Sequence, residues 1–164
     1  MVATNINRVR RLGFLALIAS LVLAADQVTK FLVISRIPLN GAIGLIPGVA
    51  DLVHARNPGA AFGMMAGSAW EFRSIFFILV SVTALVIILA LVAISRDIDS
   101  YLLLAYSLFF GGALGNLVDR IRFGEVIDFL DVHWGDLHWP AFNVADSALS
   151  VGAILFVLHV LLKR

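Results

Sequence analysis

An uninterrupted apolar run at residues 74–94 limits the folds that are open to this sequence. These 21 residues contain no charged side chain and lie between Arg73 and Arg96. A helix needs about 20 residues to cross a hydrocarbon layer about 30 Å thick, because it rises about 1.5 Å per residue. The run therefore predicts a membrane-spanning helix. The whole chain fits this setting, since 61% of its 164 residues are hydrophobic and 14% are charged.

Three further segments, at about 12–34, 101–118 and 141–162, are long and apolar enough for membrane helices. The segment 101–118 carries Gly111 and Gly115 at the spacing that lets two helix backbones approach closely. Together with 74–94, these segments predict four transmembrane helices.

The first segment also has the pattern of a secretory signal peptide. Arg8, Arg10 and Arg11 precede an apolar run at 12–25, and cleaved signal peptides share this arrangement. The apolar pattern resumes after Asp26, however, and continues to residue 34 without Pro or Gly. The pattern favours a retained helix and leaves cleavage as the alternative.

Four spans place both termini on one side, and the arginines before the first helix predict that this side is the cytoplasm. The connections 35–73 and 119–140 then face outward. Turn residues at 40–41, 47–48 and 57–59 flank short apolar runs at 42–46 and 52–55, which predicts strands. We expect an all-α polytopic membrane protein with four transmembrane helices and a small outward-facing, strand-containing cap, built as a single domain over 1–164.

Polar side chains interrupt the fourth predicted helix near its start. Asn143 and Asp146 are three residues apart and share one helical face, and Ser150 extends the same line. We expect this face to avoid lipid. A buried carboxylate in a membrane helix indicates function, although hydrogen bonding between helices is the structural alternative.

A second polar line lies at the end of the third predicted helix. Gly112, Asn116 and Arg120 follow one another at four-residue intervals, with Asp119 beside them. This line is able to face the one on the fourth helix. The alternative is an interfacial anchor in which Arg120 pairs with Asp119 or extends to the membrane surface.

Asp128 lies between large apolar residues, and such packing raises the pKa of a carboxyl group. If Asp128 lies beside Asp146, one acid keeps its proton while the other acts as a base, as in an aspartic protease. A solvated acid on a surface loop is the alternative.

Two other polar sites have plain structural explanations. Asp26 and Lys30 are spaced for a helix salt bridge, which predicts a neutralised anchor near the membrane surface. Asn57 begins a turn followed by small residues. Turn formation explains this motif as well as substrate contact does.

The histidines suggest a rival metal site. His133 and His138 are close in sequence, but no HExxH motif accompanies them. Trp134 and Trp139 beside them are typical of a membrane-interface aromatic belt. We therefore expect no metal and no cofactor, and the net charge of +1 predicts no nucleic-acid partner.

Five sequence blocks together resemble the motif set of the bacterial lipoprotein signal peptidases, the signal peptidase II family. They are DQVTK (26–30), NPGAAFG (57–63), GNLVDR (115–120), VIDF (126–129) and FNVADS (142–147). Each block is a weak signal, but five in this order on a four-helix chain are specific. The segment 133–139 matches no motif that we can name.

The resemblance implies an aspartic endopeptidase of the bacterial inner membrane that acts on lipid-modified prolipoproteins, cutting before a diacylglyceryl cysteine. It also implies that the first helix is retained. With both termini in the cytoplasm, as the arginines predict, the polar residues of the third and fourth helices lie toward the outer side, so we expect the active site near the outer face. We expect a monomer that contacts membrane lipid. The family's catalytic pair corresponds to Asp128 and Asp146, and its supporting residues correspond to Asp26, Lys30, Asn57, Asn116, Arg120 and Asn143.

Two other functions compete with this hypothesis. A proton-coupled transporter or relay also contains intramembrane Asp, Asn and Arg residues, although it commonly has an internal repeat that is absent here. A membrane scaffold would instead use scattered polar residues to bind its helices together.

Overall fold

A computed structural model describes residues 2–59, 70–95 and 98–162 of the chain. Four helices in this part are long and apolar enough to cross a membrane, as predicted. The helices are α1 (Val2–Arg36), α2 (Trp70–Ile94), α3 (Ser100–Phe123) and α4 (Val144–Leu162). The strands are β1 (Ala42–Ile46), β2 (Ala50–Asn57), β3 (Val126–Trp134) and β4 (Leu137–His138).

Helix α3 is the centre of the helical bundle and packs against the other three helices. Its glycines permit this close approach. A Cβ atom added to Gly111 would lie 2.8 Å from Cβ of Val22 in α1, and one added to Gly112 would lie 2.6 Å from the carbonyl oxygen of Ala145 in α4. The predicted tight packing of this helix is confirmed.

Helix α3 is longer than the predicted segment 101–118. The Asp99 side chain accepts a hydrogen bond from the backbone N–H of Leu102 at 2.9 Å and caps the start of the helix. Gly124 ends it with φ of 76°, a left-handed conformation in which glycine is favoured. The extension to Phe123 carries Asp119 and Arg120 as helical residues.

The predicted start of α4 at about residue 141 is wrong, because Asn143 caps the helix. Its side-chain oxygen accepts from the N–H of Asp146 at 2.8 Å, and the Asp146 carboxylate accepts from the N–H of Asn143 at 3.3 Å. This reciprocal pair is a capping box. Asp146 is therefore the third residue of the helix.

The other two helices also exceed their predicted bounds. Helix α1 begins at Val2 rather than about residue 12 and ends at Arg36, and α2 begins at Trp70 rather than residue 74. Polar residues continue both helices past the apolar runs from which the spans were predicted.

The strands form one antiparallel sheet in the order β1-β2-β3-β4. Strand β1 coincides with the predicted run 42–46, and β2 extends beyond the predicted run 52–55 at both ends. Strands β3 and β4 were not predicted. Residues 126–129 of β3 are all buried, so the strand lacks the alternation of apolar and polar residues that marks a half-exposed strand.

An apolar cluster attaches the sheet to the helices. Val33 and Ile37, at the end of the first helix, pack with Phe129 of β3. The pairing of β2 with β3 places Ala55 opposite Asp128. These contacts hold the strand that carries Asp128 against the bundle.

Candidate active site

Asp128 lies in β3 with its carboxylate held by two amide side chains. Nδ2 of Asn57 donates to Oδ2 at 3.0 Å, and Nδ2 of Asn143 donates to Oδ1 at 2.7 Å. The residue is 3% exposed, so the alternative of a solvated acid on a surface loop is wrong.

Asp146 lies at the start of α4 and receives a donor from α3. Nδ2 of Asn116 donates to its Oδ1 at 2.8 Å. This contact confirms that the two polar lines face each other. Ser150 is an exception, because it is exposed, and its predicted place on the buried face is wrong.

Asn143 connects the two acids directly. Its side-chain nitrogen donates to Asp128, while its backbone N–H donates to Oδ2 of Asp146. Because one residue contacts both carboxylates, they share a single site at the junction of β3 and α4.

The environment of Asp128 favours its neutral form. Burial, and to a smaller extent the negative charge of Asp146, raise the pKa of Asp128 to about 7, against smaller lowering effects from the donors Asn57 and Asn143. One acid of the pair is therefore able to hold or release a proton near neutral pH.

A second buried cluster lies beside this pair and contains a cation. Nζ of Lys30 is 2.8 Å from Oδ2 of Asp26 and 2.7 Å from Oδ2 of Asp119. All three side chains are at most 2% exposed. The predicted Asp26–Lys30 pair is confirmed, but it is a buried connection between α1 and α3 rather than an anchor at the membrane surface.

The cluster of Asp26, Lys30 and Asp119, called the ionic cluster below, also holds the elements that carry the two acids. Oδ1 of Asp26 accepts from the N–H of Ala145 in the first turn of α4 at 2.9 Å. Oδ2 of Asp119 accepts from the N–H of Ile127 in β3 at 3.1 Å. The ionic cluster thus fixes the residues that precede Asp146 and Asp128.

Asn116 joins the ionic cluster to the acid pair. Its Oδ1 accepts from Nζ of Lys30 at 3.2 Å and from Nδ2 of Asn143 at 3.2 Å, while its own amide donates to Asp146. One network of contacts between side chains therefore contains seven of the eight predicted site residues: Asp26, Lys30, Asn57, Asn116, Asp128, Asn143 and Asp146.

Arg120 lies next to this network. Its guanidinium carbon is 5.1 Å from the centre of the Phe77 ring in α2, and its positive charge is attracted by Asp146, Asp119 and Asp128. Among the described residues the Asp119 carboxylate forms its ion pair with Lys30, at 2.7 Å, and not with Arg120, so the alternative in which Arg120 pairs with Asp119 is wrong.

Two residues of the network were missed as site residues, although both lie in the quoted sequence blocks. They are Asp119 and Gln27, whose Nε2 donates to Oδ1 of Asp119 at 2.9 Å. Asp119 was placed beside the polar line of the third helix but was given no site role, and Gln27 was given none either. Only the meeting of α1 with α3 makes them neighbours.

The turn block at 57–63 is only partly described. Oδ1 of Asn57 accepts from the N–H of Gly59 at 2.9 Å, so the same side chain shapes the turn and contacts Asp128. Residues 60–63 lie outside the described part of the chain.

The two histidines of the rival metal site lie together, and each is paired with a carboxylate. The rings of His133 and His138 stack at 4.7 Å, and each faces its own carboxylate, Asp51 at 3.4 Å and Asp131 at 2.8 Å. In the described ranges, no group of three His, Cys, Asp or Glu side chains is placed to hold a metal ion.

Comparisons with known proteins agree with this architecture. The sequence model of the family described as signal peptidase (SPase) II matches residues 18–162. A protein named lipoprotein signal peptidase from Desulforapulum autotrophicum is 45% identical, covering 94% of this chain and 96% of its own. One of the same name from Oleidesulfovibrio alaskensis is 50% identical, covering 88% and 92%.

A solved structure of a bacterial membrane enzyme has the same fold. It superposes with a TM-score of 0.80 at 34% identity, covering 91% of this chain and 93% of its own. These relatives give the transporter alternative no support. The chain therefore belongs to the signal peptidase II family of membrane aspartic peptidases.

Proposed function

We propose that Asp128 and Asp146 are the catalytic pair with which this chain removes signal peptides from prolipoproteins. The relatives' name, lipoprotein signal peptidase, supplies the substrate class. The observation that carries the assignment is the double contact of Asn143, whose side chain binds Asp128 and whose backbone binds Asp146. Hydrolysis of a peptide bond by water needs one group that takes up a proton and one that donates a proton, and two acids held in this way are able to supply both.

In this mechanism Asp146 is the ionised acid. Its carboxylate lies in the first turn of α4, where aligned peptide dipoles favour negative charge, and it accepts from Asn116. Asp146 removes a proton from a water molecule as the water oxygen bonds to the scissile carbonyl carbon.

Asp128 is then the protonated acid. Its raised pKa of about 7 lets it keep a proton when Asp146 is ionised. It donates a hydrogen bond to the carbonyl oxygen of the scissile peptide. As the carbon–nitrogen bond breaks, the leaving amine takes up a proton from the pair.

The remaining network residues have positioning roles in this proposal. Asn57 and Asn143 orient the Asp128 carboxyl group, and Asn116 orients Asp146. Asp26 and Lys30 hold the start of α4 through the ionic cluster. Arg120, between Phe77 and the acids, supplies positive charge beside the substrate carbonyl.

The position of the pair suits a lipid-modified substrate. Asp146 is the third residue of a helix able to span the membrane, about 3 Å along its axis from the first residue. A precursor whose cysteine carries diacylglycerol is held at this depth by its acyl chains. Binding energy from those chains orients the adjoining peptide bond.

We also propose the oligomeric state and the membrane location of the enzyme. It is a monomeric, single-domain protein over residues 1–164 in the bacterial inner membrane. Both termini lie in the cytoplasm, because Arg8, Arg10 and Arg11 precede the first span. The sheet and the acid pair lie at the outer face.

Cleavage assays in detergent with a diacylglyceryl precursor test the proposal. Asp128→Asn and Asp146→Asn should each lower turnover about 1,000-fold or more, since an amide cannot exchange the proton. Asp131→Asn, three residues further along β3, is the matched control and should cleave normally. A precursor without the lipid should lose turnover at saturation as well as affinity. Near-normal cleavage by either dyad variant would contradict the assignment.

A further inference from the structure

An apolar groove of about 280 Å³ lies between the end of α1 and the sheet. Its lining is Thr29, Leu32, Val33, Arg36, Ile37, Ile43, Leu52 and Phe129. The Thr29 hydroxyl already donates to the carbonyl of Ala25 at 2.7 Å. The groove therefore presents hydrocarbon along its length, and the guanidinium of Arg36 is its charged group.

The groove lies where the first membrane span ends. That span runs from Asn7 to Arg36, and the groove follows its last two turns. Leu32 is 40% exposed and Ile43 is 49% exposed at its margin, so the groove is open to its surroundings. Water gains no hydrogen bonds in an apolar cavity, whereas the hydrocarbon of the bilayer matches this lining.

Arg36 makes one end of the groove suited to an anion. It is exposed in the last turn of α1 and forms no ion pair with any residue in the described part of the chain. A guanidinium binds phosphate through two parallel hydrogen bonds. From Thr29 to Arg36 the helix rises about 10 Å, so a chain in the groove and a headgroup at Arg36 lie in line.

We infer that this groove binds one acyl chain of a bilayer phospholipid, with the lipid phosphate on Arg36. The diacylglyceryl group of a substrate is a poorer fit, because it carries no phosphate. The groove is also separate from the acid pair, since Phe129 and Asp128 are consecutive residues of β3 and their side chains leave the strand on opposite faces.

Lipid titration of the purified, delipidated full chain tests this inference by native mass spectrometry. The probes are phosphatidylglycerol and uncharged diacylglycerol. The wild type should bind one phosphatidylglycerol saturably and should bind diacylglycerol more weakly. Ile43→Trp fills the groove and should abolish this saturable binding. Ile46→Trp, on the same strand but outside the lining, is its matched control and should bind normally.

Arg36→Gln keeps the groove and removes its charge. It should weaken phosphatidylglycerol binding about fivefold, the effect of one basic residue near an anionic lipid, and leave diacylglycerol binding unchanged. Arg10→Gln, near the other end of α1, should bind as the wild type does. Equal affinity for the two lipids, unchanged binding by Arg36→Gln, or saturable binding by a folded Ile43→Trp variant would each overturn the inference.

Discussion

The chain buries two groups of carboxylates side by side, and they differ in what compensates their charge. In the ionic cluster, Lys30 lies within 2.8 Å of both Asp26 and Asp119. In the acid pair, the nearest donors to Asp128 are the neutral amides of Asn57 and Asn143. Asn116 contacts both groups, so they belong to one network.

In the ionic cluster a cation compensates the carboxylates, whereas in the acid pair burial favours the protonated form of Asp128. A cation at salt-bridge distance stabilises a carboxylate and fixes its charge. An amide donor satisfies a carboxyl oxygen without supplying a full charge, so burial still favours the proton. We therefore interpret the ionic cluster as the part that holds the fold, and the acid pair as the part that performs chemistry.

The largest predicted effect on stability comes from Lys30→Met. The substitution leaves Asp26 and Asp119 buried without their cation, which should cost about 3–5 kcal/mol of unfolding free energy. Thermal unfolding in detergent measures this effect. Arg10→Met, at an exposed position of α1, should melt like the wild type. A Lys30→Met protein with unchanged melting would mean that the cluster does not hold the fold.

A smaller loss is expected from Gly115→Ala. The added Cβ would lie 2.7 Å from Oδ2 of Asp26, so the ionic cluster must move. Overpacking of this kind costs about 1–3 kcal/mol. Gly13→Ala is the matched control, because a Cβ there meets nothing within 4 Å. Equal melting temperatures for the two variants would show that the close approach of Gly115 to Asp26 is unimportant.

The raised pKa of Asp128 should instead make the free energy of unfolding depend on pH. Between pH 4 and 7 the folded chain keeps the Asp128 proton, whereas in the unfolded chain this carboxyl, with its ordinary pKa of 3.8, has lost it. The stabilisation that the Asp128 proton adds to the folded state is therefore complete below about pH 4, and it is lost as the pH rises through about 7. Near pH 5–6 the free energy of unfolding falls by about 1 kcal/mol per pH unit from this group.

Melting curves of the wild type and Asp128→Asn at several pH values measure this contribution. Groups common to both proteins cancel in the difference between them. The wild type should lose stability relative to the variant as pH rises from 5 to 8. Parallel pH profiles would contradict a raised pKa for Asp128.

The smallest predicted effect concerns Asn57→Ala. Its amide donates to the Asp128 carboxylate and lowers the pKa, so its removal should raise that pKa. The pH at which cleavage falls on the alkaline side should move up by about one unit, the worth of a hydrogen bond to a charged group. Asp131→Asn should leave this pH unchanged. A downward shift with Asn57→Ala would reverse the role given to its amide.

Sequence patterns predicted the helices well because a membrane span needs a long apolar run, and such runs are visible without tertiary information. The helix ends were less predictable. Helix α4 begins at a capping box of Asn143 and Asp146, whereas α3 continues through polar residues to Phe123. Strand β3 was missed because burial of its first four residues removes the alternating pattern.

The site was predictable to the extent that it follows helical spacing or the quoted motifs. The lines through Asn116 and Asn143 did meet, as predicted. The third carboxylate of the ionic cluster, Asp119, was not identified, because its partner Lys30 lies 89 residues earlier on another helix. Ser150 follows the same helical spacing but is exposed, so the spacing alone did not predict its burial.

A titration of the Asp128 carboxyl group itself tests whether Asp128 and Asp146 share one site. Carbon-13 NMR of aspartate-labelled protein in detergent follows this group, and the signal lost in Asp128→Asn identifies it. We expect a midpoint near pH 7 in the wild type and a lower midpoint in Asp146→Asn, because that substitution removes the neighbouring negative charge. A wild-type midpoint near 4, or one that Asp146→Asn leaves unchanged, would contradict the claim that the two acids share one site.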